Sequence, residues 1–148
     1  MQYAKEYVFD IKEELLSIMH THWKDAEQDN SYTFDLDWDS YYALEQSGNM
    51  KIYTARKDGN LAGYASVYVT KSLYGKNRIE AHYDSIYVMP KYRAGKTAAN
   101  FIKYIEQQLV EIGAKRINIA TLSHQPFDRL LEWLDYKHTE KVYSKYIG

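Results

Sequence analysis

The chain has no cysteine in its 148 residues. That excludes disulfides, thiolate metal sites and a cysteine nucleophile. No H-E-x-x-H pair occurs either, so no metal site is expected. Charge of one sign is also missing. Nineteen Lys and Arg balance 20 Asp and Glu to a net charge of −1, and no basic stripe is present. Neither nucleic acid nor an anionic membrane is therefore an expected partner. No apolar run approaches the roughly 20 residues needed to span a bilayer. The N-terminus lacks the basic-then-apolar pattern of a signal peptide, so a cytoplasmic location is expected. Proline is scarce and glycine modest, with 2 and 7 residues. What is abundant is tyrosine, with 16 residues. Tyrosine joins apolar area to a polar tip. It suits amphipathic strands and helix faces, or the wall of an aromatic groove.

A hydrophobic fraction of 45% against a charged fraction of 26% is that of a soluble globular chain. There is no repeat, low-complexity run or linker, so residues 1–148 read as a single domain. Asp10 can cap a helix that starts at Ile11, with Leu15, Ile18 and His22 at helical spacing. A polar break follows from Asp25 to Ser31. Asp39 or Ser40 can cap a shorter helix over Tyr41 to Gln46, ended by Ser47, Gly48 and Asn49. Strands are expected over Lys51–Arg56, Leu61–Val69 and Glu80–Val88. The first two are joined by the turn Lys57-Asp58-Gly59-Asn60, and Pro90 stops the third. Phe101, Ile102, Ile105, Leu109 and Ile112 then mark a helix from Thr97 to Ile112, with Gly113 as its stop. A strand over Arg116–Thr121, a helix around Phe127 to Leu134 with Pro126 near its first turn, and a last strand over Val142–Ile147 complete the pattern. A short first strand over Tyr7–Phe9 stays open. The fold class is α+β, with a largely antiparallel sheet flanked by helices.

The chemistry concentrates at the junction Tyr87 to Ala99 (Y-V-M-P-K-Y-R-A-G-K-T-A-A). Small residues lie where a strand turns into a helix N-terminus. Such a turn offers unpaired backbone N–H groups and the positive end of a helix dipole, which suits a phosphate. Gly95, Ala98 and Ala99 allow close approach, and Arg93 and Lys96 add positive charge. The plainer reading of the same spacing is a basic, solvated loop before an ordinary helix.

Hydrophobic-x-Val-x-Pro-x-Tyr-Arg followed by small residues and an amphipathic helix resembles the acetyl-CoA motif of the GNAT superfamily of N-acetyltransferases. The tract Asp84 to Arg93 is most similar to spermidine/spermine acetyltransferases. Leu131-Glu132-Trp133-Leu134-Asp135-Tyr136, with Thr139, Glu140 and Tyr143, resembles the family's closing helix, turn and last strand. The likeness spans about Leu61 to Gly148, and the first 50 residues match only in layout. It implies that acetyl-CoA is the cosubstrate. Ile86, Tyr87 and Val88 would pair with the pantetheine arm, Arg93, Ala94, Gly95, Lys96, Thr97, Ala98 and Ala99 would wrap the pyrophosphate, and His124 would stand where many members have an Asn. Three departures stand out. The loop glycine comes one position early and Lys96 occupies a usual glycine position. Leu131 replaces the common tyrosine acid. Asp135 replaces the turn glycine, and Asp tolerates that conformation.

The implied reaction is direct attack of a primary amine on the thioester. The amine arrives protonated and must lose a proton. Glu80, His82 and Asp84 alternate on one strand and so share a face. Asp84 matches the acidic position of spermidine-type enzymes, and His82 and Asp84 match the paired histidines of serotonin acetyltransferase. These two are the catalytic candidates. Each has an ordinary alternative, a packed histidine or a solvated carboxylate. Glu80, His20, His22 and His138 are expected to be surface groups, and Tyr136, Tyr143 and Tyr146 are spare phenols. The acceptor would be a small amine, a polyamine or a protein amine, drawn by the acidic run Asp25, Glu27, Asp29, Asp35, Asp37 and Asp39. The competing reading is a non-catalytic acyl-CoA-binding or partner-binding domain on the same fold. A homodimer stays open.

Overall fold

The computed structural model describes residues 1–26 and 33–148. Glu27 and Asp29 of the acidic run lie outside the described residues. The order is β1 (Gln2–Glu6), a 3-10 turn (Val8–Asp10), α1 (Lys12–Ala26), α2 (Trp38–Gln46), β2 (Met50–Lys57), β3 (Asn60–Lys71), β4 (Ile79–Val88), a 3-10 turn (Pro90–Tyr92), α3 (Thr97–Glu111), β5 (Ala114–Asn118) and α4 (Asp128–Trp133). The strands form one sheet in the order β1-β2-β3-β4-β5. Pairing is antiparallel through β4, and β5 joins β4 in parallel after the α3 crossover. This is the α+β architecture expected from the pattern. Among the described residues no helix is long and apolar enough to cross a membrane.

Several expected boundaries shift for local reasons. Tyr7–Phe9 is not a strand but enters a 3-10 turn, and the first strand lies earlier, at Gln2–Glu6. It is held by its neighbour: Arg56 on β2 bonds Glu6 at 2.8 Å and Glu14 of α1 at 2.9 Å, tying β1, β2 and α1 together. α2 starts before Tyr41 because Asp37, not Asp39 or Ser40, is its cap, accepting from the Ser40 N–H at 3.0 Å. Val142–Ile147 forms no strand. Val142, Tyr143 and Ile147 lie exposed and the segment pairs with nothing among the described residues.

The helices divide the core between two faces of the sheet. Under α3, Phe101, Ile105 and Leu109 pack with Tyr53, Val67, Ala81, Tyr83 and Val88. Under α1, Leu15, Ile18 and Met19 pack with Met50, Ile52, Tyr64 and Tyr87. The amphipathic stripe of α3 explains its docking, since its buried positions recur at helical spacing.

Candidate active site

Two irregularities in β4 make the site. The first is a β-bulge. Ser66 of β3 opposes Ser85, but the next β3 residue, Val67, opposes Tyr83. Asp84 is the extra residue. Up to Asp84 the alternation holds: His82 lies opposite Tyr68, on the α1 face, while Ala81 and Tyr83 face α3. Past the bulge the parity reverses. Tyr87 now faces α1, and Ile86 and Val88 face α3. Asp84 and Ser85 consequently line the same cleft. Ser66, fully buried, donates to Asp84 Oδ2 at 3.2 Å and shares a 2.6 Å hydrogen bond with the Ser85 hydroxyl.

The second irregularity is a fork. β5 pairs with β4 only from Ile79 to His82. Beyond His82 the edge of β4 that faced β5 has no strand beside it among the described residues, through Tyr83 to Val88. His82 marks the crotch of the fork. Asn118, the last residue of β5, donates through Nδ2 to His82 Nδ1 at 3.0 Å, and Glu80 lies 3.9 Å from His82 Nε2.

The loop after β4 leads to the N-terminus of α3. The helix's first hydrogen bond runs from Asn100 N–H to the Lys96 carbonyl at 2.8 Å. The N–H groups of Thr97, Ala98 and Ala99 are therefore left without helical acceptors. No acidic side chain stands in that first turn, and Lys96 makes no side-chain cap. Gly95 has φ +72°, and a Cβ there would meet nothing within 4 Å. It is needed for backbone conformation rather than space. Arg93 bends back: its Nε donates to the Val88 carbonyl at 2.7 Å and its guanidinium lies 5.3 Å from the Tyr87 ring centre. Ala94, Gly95 and Lys96 are exposed. This loop, with free N–H groups, two cations and no carboxylate, fits a pyrophosphate, and the bare edge of β4 beside it fits an extended amide-bearing chain. His124 lies exposed in the segment before α4. Its neighbour Gln125 bonds the Asp25 carbonyl at 2.9 Å, tying that segment to the end of α1.

The cleft on the α1 face has a volume of about 350 Å³ and includes Met19, His22, Trp23, Phe34, Tyr41, Tyr64, Asp35, Asp84 and Ser85. His82 is not among its lining residues. His22, expected at the surface, is here instead. Its Nδ1 shares a 2.6 Å hydrogen bond with the Tyr64 hydroxyl, and its ring stacks on Tyr87 at 4.5 Å. Tyr87 donates to Asp25 Oδ2 at 2.6 Å. Burial holds His22 below its ordinary value, helped by Arg93 and opposed by Asp25, so the ring is neutral at neutral pH. Burial, then the Asp25 carboxylate, pushes the Tyr87 phenol up to about 12. Tyr64 is raised as well, chiefly by burial. The signal for His22 was present in its spacing from Leu15 and Ile18. Two histidines two apart do not share a face, and His20 is the exposed one. Of the spare phenols, Tyr136 faces the other way, donating to Glu106 of α3 at 3.0 Å, and Tyr143 and Tyr146 are exposed. Leu131, at the usual tyrosine position, is buried.

The fold is shared with known enzymes. A ribosomal-protein-alanine N-acetyltransferase from Brucella melitensis biovar Abortus 2308 superposes with a TM-score of 0.74 at 19% identity, covering 99% of this chain and 100% of that one. A predicted acetyltransferase from Clostridium acetobutylicum, solved with acetyl-CoA, gives 0.73 at 12% identity over 98% and 95% of the two chains. An aminoglycoside acetyltransferase from an uncultured soil metagenomic sample, in complex with sisomicin, gives 0.74 at 14% identity over 99% and 95%. No curated protein matches in sequence. The profile of the acetyltransferase (GNAT) family matches residues 10–132, most of the chain, including the bulge, the fork and the α3 loop. The chain belongs to the GNAT acetyltransferase family.

Proposed function

We propose that the protein transfers the acetyl group of acetyl-CoA to a primary amine by direct attack. The observation that carries this is the coincidence of bulge and fork: within a few residues of β4, a bare strand edge leads from the α3 loop to a carboxylate-bearing cleft. Thr97, Ala98 and Ala99 N–H groups and Lys96 would hold the pyrophosphate, with Gly95 and Ala94 shaping the turn. Ile86, Tyr87 and Val88 would flank the pantetheine, Arg93 would brace the loop, and His124 would border the arm from the α4 side. Acetyl-CoA supplies an activated acyl carbonyl.

This chain's residues then act on the acceptor. Asp84, fixed by Ser66, binds the ammonium and orients it toward the fork. An ordinary amine has a pKa of about 10.4 and must shed a proton before it can attack. His22, neutral and bonded to Tyr64, takes that proton. The freed nitrogen forms the new C–N bond as the C–S bond breaks, and solvent returns a proton to the sulfur. His82, held by Asn118, assists from the fork.

The test joins calorimetry and turnover. Acetyl-CoA should bind in the micromolar range, about −8 kcal/mol, and an amine panel should release free CoA. Binding without release for any amine would leave an acyl-CoA-binding domain in place of an enzyme. No binding would remove the assignment.

A further inference from the structure

The fork and the α3 loop say where the cosubstrate fits, and the cleft beside Asp84 restricts the acceptor. Its volume of about 350 Å³ is near the lower end for a small-molecule site. Met19, Trp23, Phe34, Tyr41 and Tyr64 provide an apolar, mainly aromatic wall. The Trp23 and Phe34 rings lie 5.7 Å apart and tilted by 41°. Asp35 and Asp84 are the acidic groups among the described lining residues, and no lysine or arginine is among them. Asp84 is pinned to the sheet by the bulge and by Ser66, whereas Trp23 belongs to α1 and Phe34 follows it in the chain. The cleft therefore has an anionic floor on the sheet and an aromatic wall beside the helix.

The geometry points to a small arylalkylamine as the acceptor: its ammonium meets Asp84 and its ring lies against Trp23 and Phe34, an assignment that rests on the acetyltransferase reading above. An aromatic body gains area and ring contacts from these walls, and its single cation finds both a carboxylate and aromatic faces. Other amines fit less well. A polyamine such as spermidine carries several ammonium groups, and the wall of Met19, Trp23 and Phe34 offers them no carboxylate. A peptide α-amine brings several backbone N–H and C=O groups, and Met19 and Phe34 can pair none of them.

Initial rates of CoA release with 2-phenylethylamine, spermidine and a short peptide with a free α-amine test this. Phenylethylamine should show a kcat/KM at least about tenfold above the other two. Trp23→Ala should raise its KM roughly tenfold and raise that for n-butylamine, which has no ring to stack, by less. Phe34→Leu, which keeps the bulk and removes the ring, should act in the same direction should the tryptophan variant fail to fold. Preference for spermidine or the peptide overturns the arylalkylamine assignment and leaves the acetyltransferase reading standing. If no amine turns over, calorimetry of phenylethylamine against the CoA-loaded protein decides. Binding that is lost in Trp23→Ala upholds the ligand class while removing the enzymatic reading, and no binding overturns the assignment.

Discussion

The two faces of the sheet use the same residue type for different ends. Under α3, Tyr53 and Tyr83 are buried as bulk, and the Tyr83 hydroxyl has no hydrogen-bond partner among the described residues. Under α1, Tyr64 and Tyr87 are buried too, yet their hydroxyls meet His22 and Asp25, each at 2.6 Å. Tyr53 and Tyr83 serve as packing, whereas Tyr64 and Tyr87 are wired to titratable groups around an open cleft. The bulge at Asp84 separates these roles along β4 by reversing which side chains look toward which helix. A single extra residue places Ser85 and Tyr87 on the reactive side and returns Val88 to the core.

The largest expected effect breaks the packed face. Phe101 is fully buried beneath α3 and stacks on Tyr3 at 5.5 Å. Phe101→Ala should cost about 3–5 kcal/mol of unfolding free energy, measured by urea denaturation. The folded fraction should keep its acetyl-CoA affinity. A loss below about 1 kcal/mol would mean that this face is not the anchor of the fold.

The next effect reverses that signature. Asp84→Asn keeps shape and removes charge on a side chain that is largely exposed. It should lower kcat/KM by roughly 10²-fold at neutral pH, with stability and acetyl-CoA affinity nearly unchanged. Wild-type rates with the best acceptor would sink the role of Asp84. Smaller still is the loop. Gly95→Ala forces a side chain into a left-handed turn and should cost about 1 kcal/mol in stability. It should also weaken CoA binding several-fold, because the turn aims the α3 N–H groups. Unchanged CoA affinity in calorimetry would detach Gly95 from the cofactor.

How much of this could be read beforehand follows from where periodicity reaches. The α3 stripe and the three central strands were legible because their apolar spacing answers directly to burial. The motif from Asp84 to Arg93 marked the strand-to-helix junction, but the fork beside it was not legible. The bulge was not legible, since Asp84 has no composition that marks an extra residue. The β1 strand was missed because its five residues, two of them charged, form only against Arg56 and the β2 edge. Val142–Ile147 has strand-forming residues but finds no partner, and strand propensity without pairing makes no strand. His22 is expected at the surface by residue type, although it continues the helical spacing of the buried Leu15 and Ile18.

The least effect separates the two faces by proton chemistry. The α1 face holds a titratable ring in its packing, and the α3 face pairs its phenols with no histidine. His22 lies below the ordinary histidine value of 6.5 because burial disfavours the imidazolium. Arg93 adds to the depression, Asp25 opposes it, and the Tyr64 and Tyr87 phenols stay protonated across this range. In the unfolded chain the ring takes up its proton near its ordinary value; in the folded protein it waits for a lower pH. Between those two points the unfolded state binds more protons, so stability falls as pH drops. Above the window His22 contributes no slope. Wild-type protein should therefore lose stability between pH 6.5 and the lower folded value, beyond what its carboxylates explain. His22→Gln, which cannot titrate, should lose less over the same interval. Urea midpoints for both proteins at neutral pH and about pH 5 give the comparison as a difference of differences, so the other histidines cancel. The same substitution should lower kcat/KM at neutral pH and flatten the acid limb of the rate profile, because the group that takes the amine's proton is gone. Parallel stability curves would place His22 in solvent-like surroundings and remove it from the reactive face. A normal acid limb with a flattened stability curve would keep the ring buried but return the proton to His82 at the fork.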